Sequence, residues 1–281
     1  MSSSTLHNKS MATDLSTLIK TFESLWPLSG AEEWDRPGLS TGGRTREVSK
    51  VLLSVDVTNH VLSEAKEHGC QLVLSHHPAL LKGVSFLAED QLKGELIAFA
   101  IKNDIALYSA HTNADIVAGG VSDTLAKVIG LTGAIPLVET SSGIGHGRIG
   151  KLSTSLTLNE FAKHVQSVLP ETKAPIRIAG DLQRVIQTVA VVGGAGDSFI
   201  GAAQASGADC LVTSDLRHHV SLDAATDPSK PICLIDISHF AAESLWLEPT
   251  AKKLSGLHSE IEFIVSKTNT DPWSMSLAPG V

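Results

Sequence analysis

The strongest constraint on the fold of this chain is the regular alternation of short aliphatic segments with amphipathic, helix-forming segments. The predicted strands are 51–57, 70–75 and 105–110 in the first half and 185–192, 210–213 and 232–237 in the second. Helices of about ten residues are predicted between most of them, one of them over 91–102, and a further helix after the last of these strands is predicted to run to about Leu254. This alternation is the pattern of βαβ units. The sequence therefore predicts an α/β fold with mostly parallel sheets.

The two halves of the chain also resemble each other. Residues 51–77 align without a gap on residues 189–215, at a constant offset of 138. Strand, helix, glycine and strand coincide in this alignment, although few residues are identical. Related βαβ halves explain the pattern, and a chance match between two unrelated βαβ units is the alternative. We expect two α/β domains of similar topology.

The prediction of two domains gives expected limits for each of them. Residues 1–13 are rich in serine and polar residues, so we expect a disordered extension there. The first domain is predicted over 14–132 plus 232–281, and it is the one expected to carry the metal site. The second is predicted over 133–231.

Composition narrows the class of partner and the compartment. A net charge of −8 disfavours nucleic acid and anionic membrane as partners, because neither attracts an acidic protein. No apolar run is long enough to cross a membrane. Cys70, Cys210 and Cys233 form no CxxC motif and lie in apolar segments, which suits core packing in a reducing compartment. We expect a soluble, cytoplasmic protein.

Two adjacent histidines follow the predicted strand 70–75. His76 and His77 lie at its carboxyl end, where ligands and catalytic groups collect in open α/β sheets. Pro78 keeps His77 out of helical backbone angles, so the pair lies on an extended or turning segment. Two imidazoles there can bind metal, and the alternative is a loop end with two solvated histidines.

Two further segments place donor groups after predicted strands. His239 and Glu243 are four residues apart at the start of a helix, so they share one face and can chelate a metal. The alternative is a solvated first turn capped by Ser238. Asp115 follows strand 105–110, and His111 in the same loop is a further ligand, an orienting group or a proton shuttle. Histidines combined with a bridging carboxylate suit two first-row divalent ions, whether zinc, iron or manganese.

Two other motifs predict less. Asp215, His218 and His219 form a second polar cluster, but adjacent histidines on a helix share a face poorly. We favour contacts at a subunit interface or a cavity mouth over a second metal site. The glycine-rich segment 193–198 lacks GxGxxG spacing and a P-loop lysine, and Asp197 would repel a phosphate. It is predicted to be a tight turn with close helix–sheet packing.

Eight motifs, in this order and spacing, resemble those of the Nif-three-like family from about residue 14 to the end of the chain. Many bacterial members of that family carry the name GTP cyclohydrolase 1 type 2 homologue. The motifs are EEWDRPGL (32–39), SVDVT (54–58), SHHPALLKGV (75–84), HTNADIVAGGVSD (111–123), VVGGAGDSFIGAA (191–203), TSDLRHH (213–219), ISHFAAE (237–243) and TNTDPW (268–273). The sequence departs from the family at Arg36-Pro37, where many members have asparagine and an aliphatic residue.

The resemblance implies a fold of two interlinked α/β domains and a dinuclear centre. Two divalent ions would be held there, with the aspartate and the glutamate placed to bridge them. The implied ligands are His76, His77, Asp115, His239 and Glu243. Members of the family commonly assemble as toroidal hexamers with the metal sites facing an internal cavity. A homohexamer with a small-molecule ligand in a central cavity is therefore expected.

Three functions are compatible with these residues. The first is a metal-dependent hydrolase of a small phosphorylated or nucleotide-like molecule, with His111 as the candidate acid/base. The second is a metal-handling or metal-insertion protein, and the third is a regulatory binding module in which metals are structural. The sequence lacks the cysteine–histidine zinc site typical of true GTP cyclohydrolases, so that activity does not follow from the residues.

Overall fold

Strands and helices alternate through the computed structural model, which describes residues 12–277. The strands of this part of the chain are β1 (Thr13–Asp14), β2 (Gly38–Thr41), β3 (Glu47–Val48), β4 (Lys50–Ser54), β5 (Leu72–Ser75), β6 (Ala106–Ser109), β7 (Leu131–Ile135), β8 (Val138–Ser141), β9 (Ile144–His146), β10 (Arg148–Thr157), β11 (Arg177–Ala179), β12 (Val185–Ala195), β13 (Cys210–Ser214), β14 (Cys233–Asp236) and β15 (Glu262–Val265). The α-helices are α1 (Leu15–Leu25), α2 (Asn59–Glu67), α3 (Leu92–Lys102), α4 (Thr112–Asp115), α5 (Val121–Val128), α6 (Leu158–Val168), α7 (Ile200–Ala205), α8 (His218–Thr226), α9 (His239–Ser244) and α10 (Leu247–Leu257). The predicted α/β class is confirmed. Within 12–277, every helix is too short or too polar to traverse a lipid bilayer.

The chain divides into two compact units, each made of three segments. Unit 1 comprises the described residues up to Ser24, Arg36–Ala110 and Thr250–Thr268, and unit 2 comprises Leu25–Asp35, His111–Pro249 and the described residues from Asn269. The domain limits predicted from the sequence stay a prediction, and these units have other bounds. The main reason is β14, which hydrogen-bonds to β13 and β11 and so belongs with the sheet of unit 2. Most of the extension expected over 1–13 lies outside the described residues, but Thr13 pairs with Val48 in a short antiparallel ladder.

Unit 1 is built on a five-stranded sheet in the order β15-β4-β5-β6-β2. The first four strands are parallel, and β2 pairs antiparallel with β6. Apolar side chains of α2 and α3 pack on one face of the sheet. On the other face, Phe22 of α1 contacts Tyr108 of β6, with ring centroids 5.1 Å apart. The carboxyl ends of β4, β5 and β6 consequently meet at one edge.

Unit 2 contains a six-stranded sheet in the order β11-β14-β13-β12-β10-β7. Its centre, β12-β13-β14, is parallel, whereas β10, β7 and β11 pair antiparallel. Helices α5 and α6 cover one face through residues such as Leu125 and Phe161, and α7 and α8 cover the other. The strongly apolar, β-branched β12 and β13 are buried because both faces of the sheet are covered.

The internal repeat is reproduced in the strand register. In unit 1, Val51 pairs with Leu72, and in unit 2, Val189 pairs with Cys210, which are the positions related by the offset of 138. The side chains that cap the two strand pairs are also equivalent. Gln71 Oε1 accepts the backbone N–H groups of residues 49 and 50, and Asp209 Oδ2 accepts those of residues 187 and 188. The repeat is therefore a structural one.

Candidate metal centre

His76 and His77 extend the parallel ladder beyond the end of β5. Their backbone N–H groups donate to the carbonyl oxygens of Ser54 and Val55, so both residues are fixed to the neighbouring strand. His76 is fully buried, and the His77 side chain is 24% exposed. Each ring offers a nitrogen within 4.8 Å of the other's, and the ring centroids are 5.0 Å apart. The two rings are thus held close together by a fixed backbone, and they do not form a solvated loop end.

Both rings are oriented through Nδ1. His76 Nδ1 lies 2.9 Å from the carbonyl oxygen of Ala110, and His77 Nδ1 lies 2.7 Å from Asp56 Oδ1. A carbonyl or carboxylate oxygen only accepts, so in each case Nδ1 carries the proton. The lone pair of each ring is then on Nε2, the tautomer that suits metal binding.

His111 is held in the same way at the start of α4. It is buried, and its Nδ1 donates to Asp35 Oδ1 over 2.9 Å. Asp35 Oδ2 also accepts from the backbone N–H and the hydroxyl of Thr112. Burial alone would raise the pKa of Asp35, but the hydrogen bonds from His111 and Thr112 and the His111 charge outweigh it and lower that pKa to about 2.

Asp115 ends the single turn of α4. It is half-buried, and its backbone N–H closes the turn on the His111 carbonyl. His111 and Asp115 therefore repeat, four residues apart, the spacing of His239 and Glu243 at the start of α9. Both pairs lie in unit 2, each directly after a strand end.

His239 and Glu243 form a close pair on α9, whose first turn is capped by the Ser238 hydroxyl. His239 Nε2 lies 2.8 Å from Glu243 Oε1, and Glu243 is buried. On the opposite side of the ring, Nδ1 lies 2.6 Å from Asp215 Oδ2. The hydrogen bond from His239 is the main cause that holds the pKa of Asp215 below its usual value. Carboxylate oxygens therefore face both nitrogens of this ring.

Gly194, near the end of β12, is the point where the backbone approaches this pair. Its φ is +77°, and a Cβ added there would lie 2.6 Å from Glu243 Oε1 and 3.4 Å from His239 Nε2. Gly193 and Gly196 are equally crowded, by Val121 and Thr213. The close helix–sheet packing predicted over 193–198 is found, but residues 193–195 still belong to β12, and the chain turns only from Gly196 onwards.

The second cluster predicted from the sequence is divided by the structure. Asp215 orients His239, as described above. His218 and His219 are exposed at the start of α8, with ring centroids 5.1 Å apart. Within the described part of the chain, no group of three potential ligands includes either of them. The structure therefore gives no support for a second metal site at these histidines.

Sequence reasoning missed the residues that orient the histidines. Asp35 and Asp56 both lie inside recognised motifs, but neither was assigned a role. A signal existed for Asp56, because it follows β4 at the same sheet edge as His76 and His77. Asp35 had no such signal, because it lies in the loop before β2 and not after a predicted strand.

Comparisons with known proteins agree on one family. A family model described as Duf34/NIF3 (NGG1p interacting factor 3) matches residues 13–272. A Streptomyces coelicolor protein named GTP cyclohydrolase 1 type 2 homolog is 40% identical over 272 residues, covering 94% of this chain and 95% of that protein. Similar folds are found in Staphylococcus aureus protein SA1388 (TM-score 0.85, 29% identity, 94% and 99% of the two chains). They are also found in a Bacillus cereus protein related to NIF3 (TM-score 0.88, 24% identity, 94% and 99% covered).

Proposed function

Because the chain belongs to the Duf34/NIF3 family, as its motifs suggested, we propose that it is a dinuclear metal protein that hydrolyses a small phosphorylated or nucleotide-like molecule. The proposed ligands are His76, His77, Asp115, His239 and Glu243. The ions are divalent zinc, iron or manganese, all of which suit mixed imidazole and carboxylate donors.

The orientation of the histidines is the observation that carries this proposal. His76, His77 and His239 each have Nδ1 held by an oxygen acceptor, which directs Nε2 away from it. Such a partner on the second nitrogen is the usual support of a metal-binding histidine. A solvated or purely structural histidine does not need it on every ring. The glycine at 194, which leaves room beside Glu243 and His239, fits the same interpretation.

The bound ions would supply an activated water and a positive charge to polarise the oxygen under attack. The chain supplies the rest. Asp56 and Asp215 keep the ligand rings in one orientation, and the burial of His76 and Glu243 excludes bulk water from their side. All three cysteines are buried free thiols, so thiolate is not part of the proposed ligand set.

His111 is proposed as the group that transfers the proton. Asp35 stays ionised at neutral pH because its pKa is about 2, and it fixes the Nδ1 proton of His111. Nε2 is then the position that accepts a proton from water or returns one to a leaving group. The same carboxylate stabilises the imidazolium that forms in between.

Metal handling is the second candidate function, and partial exposure of two ligands favours it. The side chains of His77 and His239 are 24% and 32% exposed, so solvent and chelators reach them. A delivery protein needs ions that exchange, whereas a hydrolase retains them through turnover. The exchange rate of bound metal therefore separates the two functions.

The deciding experiment is metal content per subunit by mass spectrometry, on protein purified without chelator or a nickel column. We expect about two ions in the wild type and clearly fewer in the His76→Ala/Glu243→Ala variant. A matched His218→Ala/His219→Ala variant removes two exposed histidines and should keep full metal content. Absence of metal after reconstitution with zinc, iron and manganese would refute the proposal and leave a regulatory binding module.

Activity is tested on the metal-loaded protein. Phosphomonoesters and nucleotides are suitable substrates, with GTP included because relatives carry the name GTP cyclohydrolase 1 type 2 homolog. Turnover that disappears on metal removal and returns on reloading supports the hydrolase. Transfer of metal to an acceptor without chemical change supports metal handling. A homohexamer with its ligand in a central cavity, in a reducing cytoplasm that suits three free thiols, completes the proposal.

A further inference from the structure

Trp34 is an exposed aromatic side chain placed beside the proposed proton-transfer histidine. It is 59% exposed, although its neighbour Asp35 is only 3% exposed. The Trp34 and His111 rings meet edge to face, with centroids 5.8 Å apart and an interplanar angle of 81°. Both residues belong to unit 2.

The loop holds this tryptophan firmly. On one side, the Glu32 backbone N–H donates to the Thr112 hydroxyl over 3.0 Å. On the other, the Asp35 carboxylate accepts three hydrogen bonds from His111 and Thr112. The backbone N–H of Asp35 also donates to the Glu32 carbonyl oxygen, which closes a turn. The residues flanking Trp34 are thus fixed to the start of α4. An exposed indole on such a support is preorganised, because little conformational entropy is lost when a ligand covers it.

The chemistry of the ring defines the ligand class. An edge-to-face contact occupies at most one face of an indole, so a face of Trp34 is open to a planar group. In the same loop, the Glu32 carboxylate, which pairs with His146 over 2.8 Å, is 42% exposed and can accept ring N–H groups. We propose that Trp34 is the stacking platform for a nucleobase-like heteroaromatic ring of the substrate. This inference rests on the proposed function, because it places that ring next to His111.

The test measures binding to the metal-loaded, full-length protein. Calorimetric titrations use AMP and GMP as probes, and ribose 5-phosphate as the matched probe that lacks a base. Trp34→Ala is expected to weaken nucleotide binding roughly tenfold or more, which is the usual effect of removing one stacking partner. Trp34→Phe should retain most of the affinity, since a phenyl ring also stacks.

Two controls test whether the loss of affinity is specific to the base and to Trp34. Ribose 5-phosphate should bind the wild type and Trp34→Ala equally, because it makes no stacking contact. Trp273→Ala removes a tryptophan that is 63% exposed in the carboxyl-terminal segment, and it should leave nucleotide affinity unchanged. Metal content is measured on every variant.

The inference is overturned if AMP and GMP do not bind the metal-loaded wild type, or if they bind Trp34→Ala as tightly as the wild type. It is also overturned if Trp34→Ala changes the oligomeric mass, since Trp34 would then be an interface residue. None of these outcomes contradicts the proposed metal centre if the protein still binds two ions. Failure of the proposed function appears separately, as absence of metal or of turnover in the wild type.

Discussion

The three proposed histidine ligands and His111 share one local arrangement: Nδ1 donates to an oxygen, and Nε2 points away from that oxygen. The acceptors are a carbonyl for His76 and carboxylates for His77, His111 and His239. Such a partner fixes the tautomer and the orientation of the ring, which suits both metal binding and proton transfer. The arrangement suits ligands and an acid/base equally, so it does not by itself separate His111 from the other three. His111 differs from the other three in its edge-to-face contact with the exposed Trp34 ring, and this contact supports the separate role proposed for it.

Ionised Asp35 is expected to make the free energy of unfolding depend on pH in the acidic range. Its pKa in the folded protein is about 2, below the ordinary 3.8, so ionised Asp35 stabilises the fold above pH 4 and this contribution is lost as pH falls towards 2. Asp35→Asn should therefore lower the free energy of unfolding at pH 7 by about 2 kcal/mol. The gap between wild type and variant should close near pH 2.

Urea unfolding at pH 7, 4 and 2.5 measures that gap directly. Asp223→Asn, at an exposed position of α8, is the control and should show no gap at any pH. A constant gap for Asp35→Asn across the three pH values would mean that the loss is steric rather than ionic.

At the residue scale, the sequence indicates the donor groups but not their partners. His76, His77, His239 and Glu243 could be found because they follow apolar strands or share a helix face. Their partners are distant along the chain: Asp56 is 21 residues from His77, Asp215 is 24 from His239, and Asp35 is 76 from His111. Such pairings depend on which strands are neighbours, and strand order is not encoded locally.

At the element scale, β12 brings its own backbone against α9, and Gly194 is the point of contact. Gly194→Ala should cost about 1–2 kcal/mol from its positive φ alone. The added Cβ would also displace the Glu243 carboxylate, from which it would lie only 2.6 Å away. We expect loss of stability together with reduced metal content.

Gly207→Ala is a control matched in backbone conformation. Gly207 has a φ of +74°, close to the +77° of Gly194, and a Cβ there would meet no atom within 4 Å. Thermal unfolding and metal analysis of both variants separate strain from contact. Equal metal content in the two variants would show that Gly194 has no special relation to Glu243.

Elements with a clear period were predictable, and elements defined by pairing were not. Helix α3 was predicted over 91–102 and found at Leu92–Lys102, and β13 differs from its prediction by one residue. The helix predicted to run to about Leu254 is instead two helices, α9 and α10, which are separated at Leu245 and Trp246. Pro249, in the first turn of α10, has no N–H to donate to the Leu245 carbonyl, so a local breaker lies at this interruption. Trp246, at the same point, is fully buried against Trp26. Strand β2 was missed because its four residues, GLST, lie between Pro37 and two glycines and have the local pattern of a loop, although they pair with β6.

At the scale of the whole molecule, the loop between β5 and α3 forms an exposed apolar surface. It exposes the apolar side chains of Leu81, Val84, Phe86 and Leu87, with Phe86 at 79% exposure, and Leu92 at the start of α3 is exposed as well. Exposed apolar clusters of this kind mark interaction surfaces. The proposed homohexamer would give these side chains a place to be buried.

Native mass spectrometry tests this assembly. The wild type should have six times the mass of one chain, and Phe86→Asp should shift the population towards smaller species, because a charge is costly in an apolar interface. Leu257→Asp, at another exposed apolar position, should keep the wild-type mass. A monomeric wild type would contradict the hexamer without affecting the metal analysis.

The internal repeat places Ser214 and Asp215 where the first copy has His76 and His77. One strand end therefore provides two imidazoles, while its counterpart provides a hydroxyl and the carboxylate that orients His239. A chain with two versions of the same strand end can let one version diverge while the other keeps its chemistry. In this protein the two equivalent strand ends differ in role, because the first supplies ring nitrogens itself and the second acts on a ring supplied by α9.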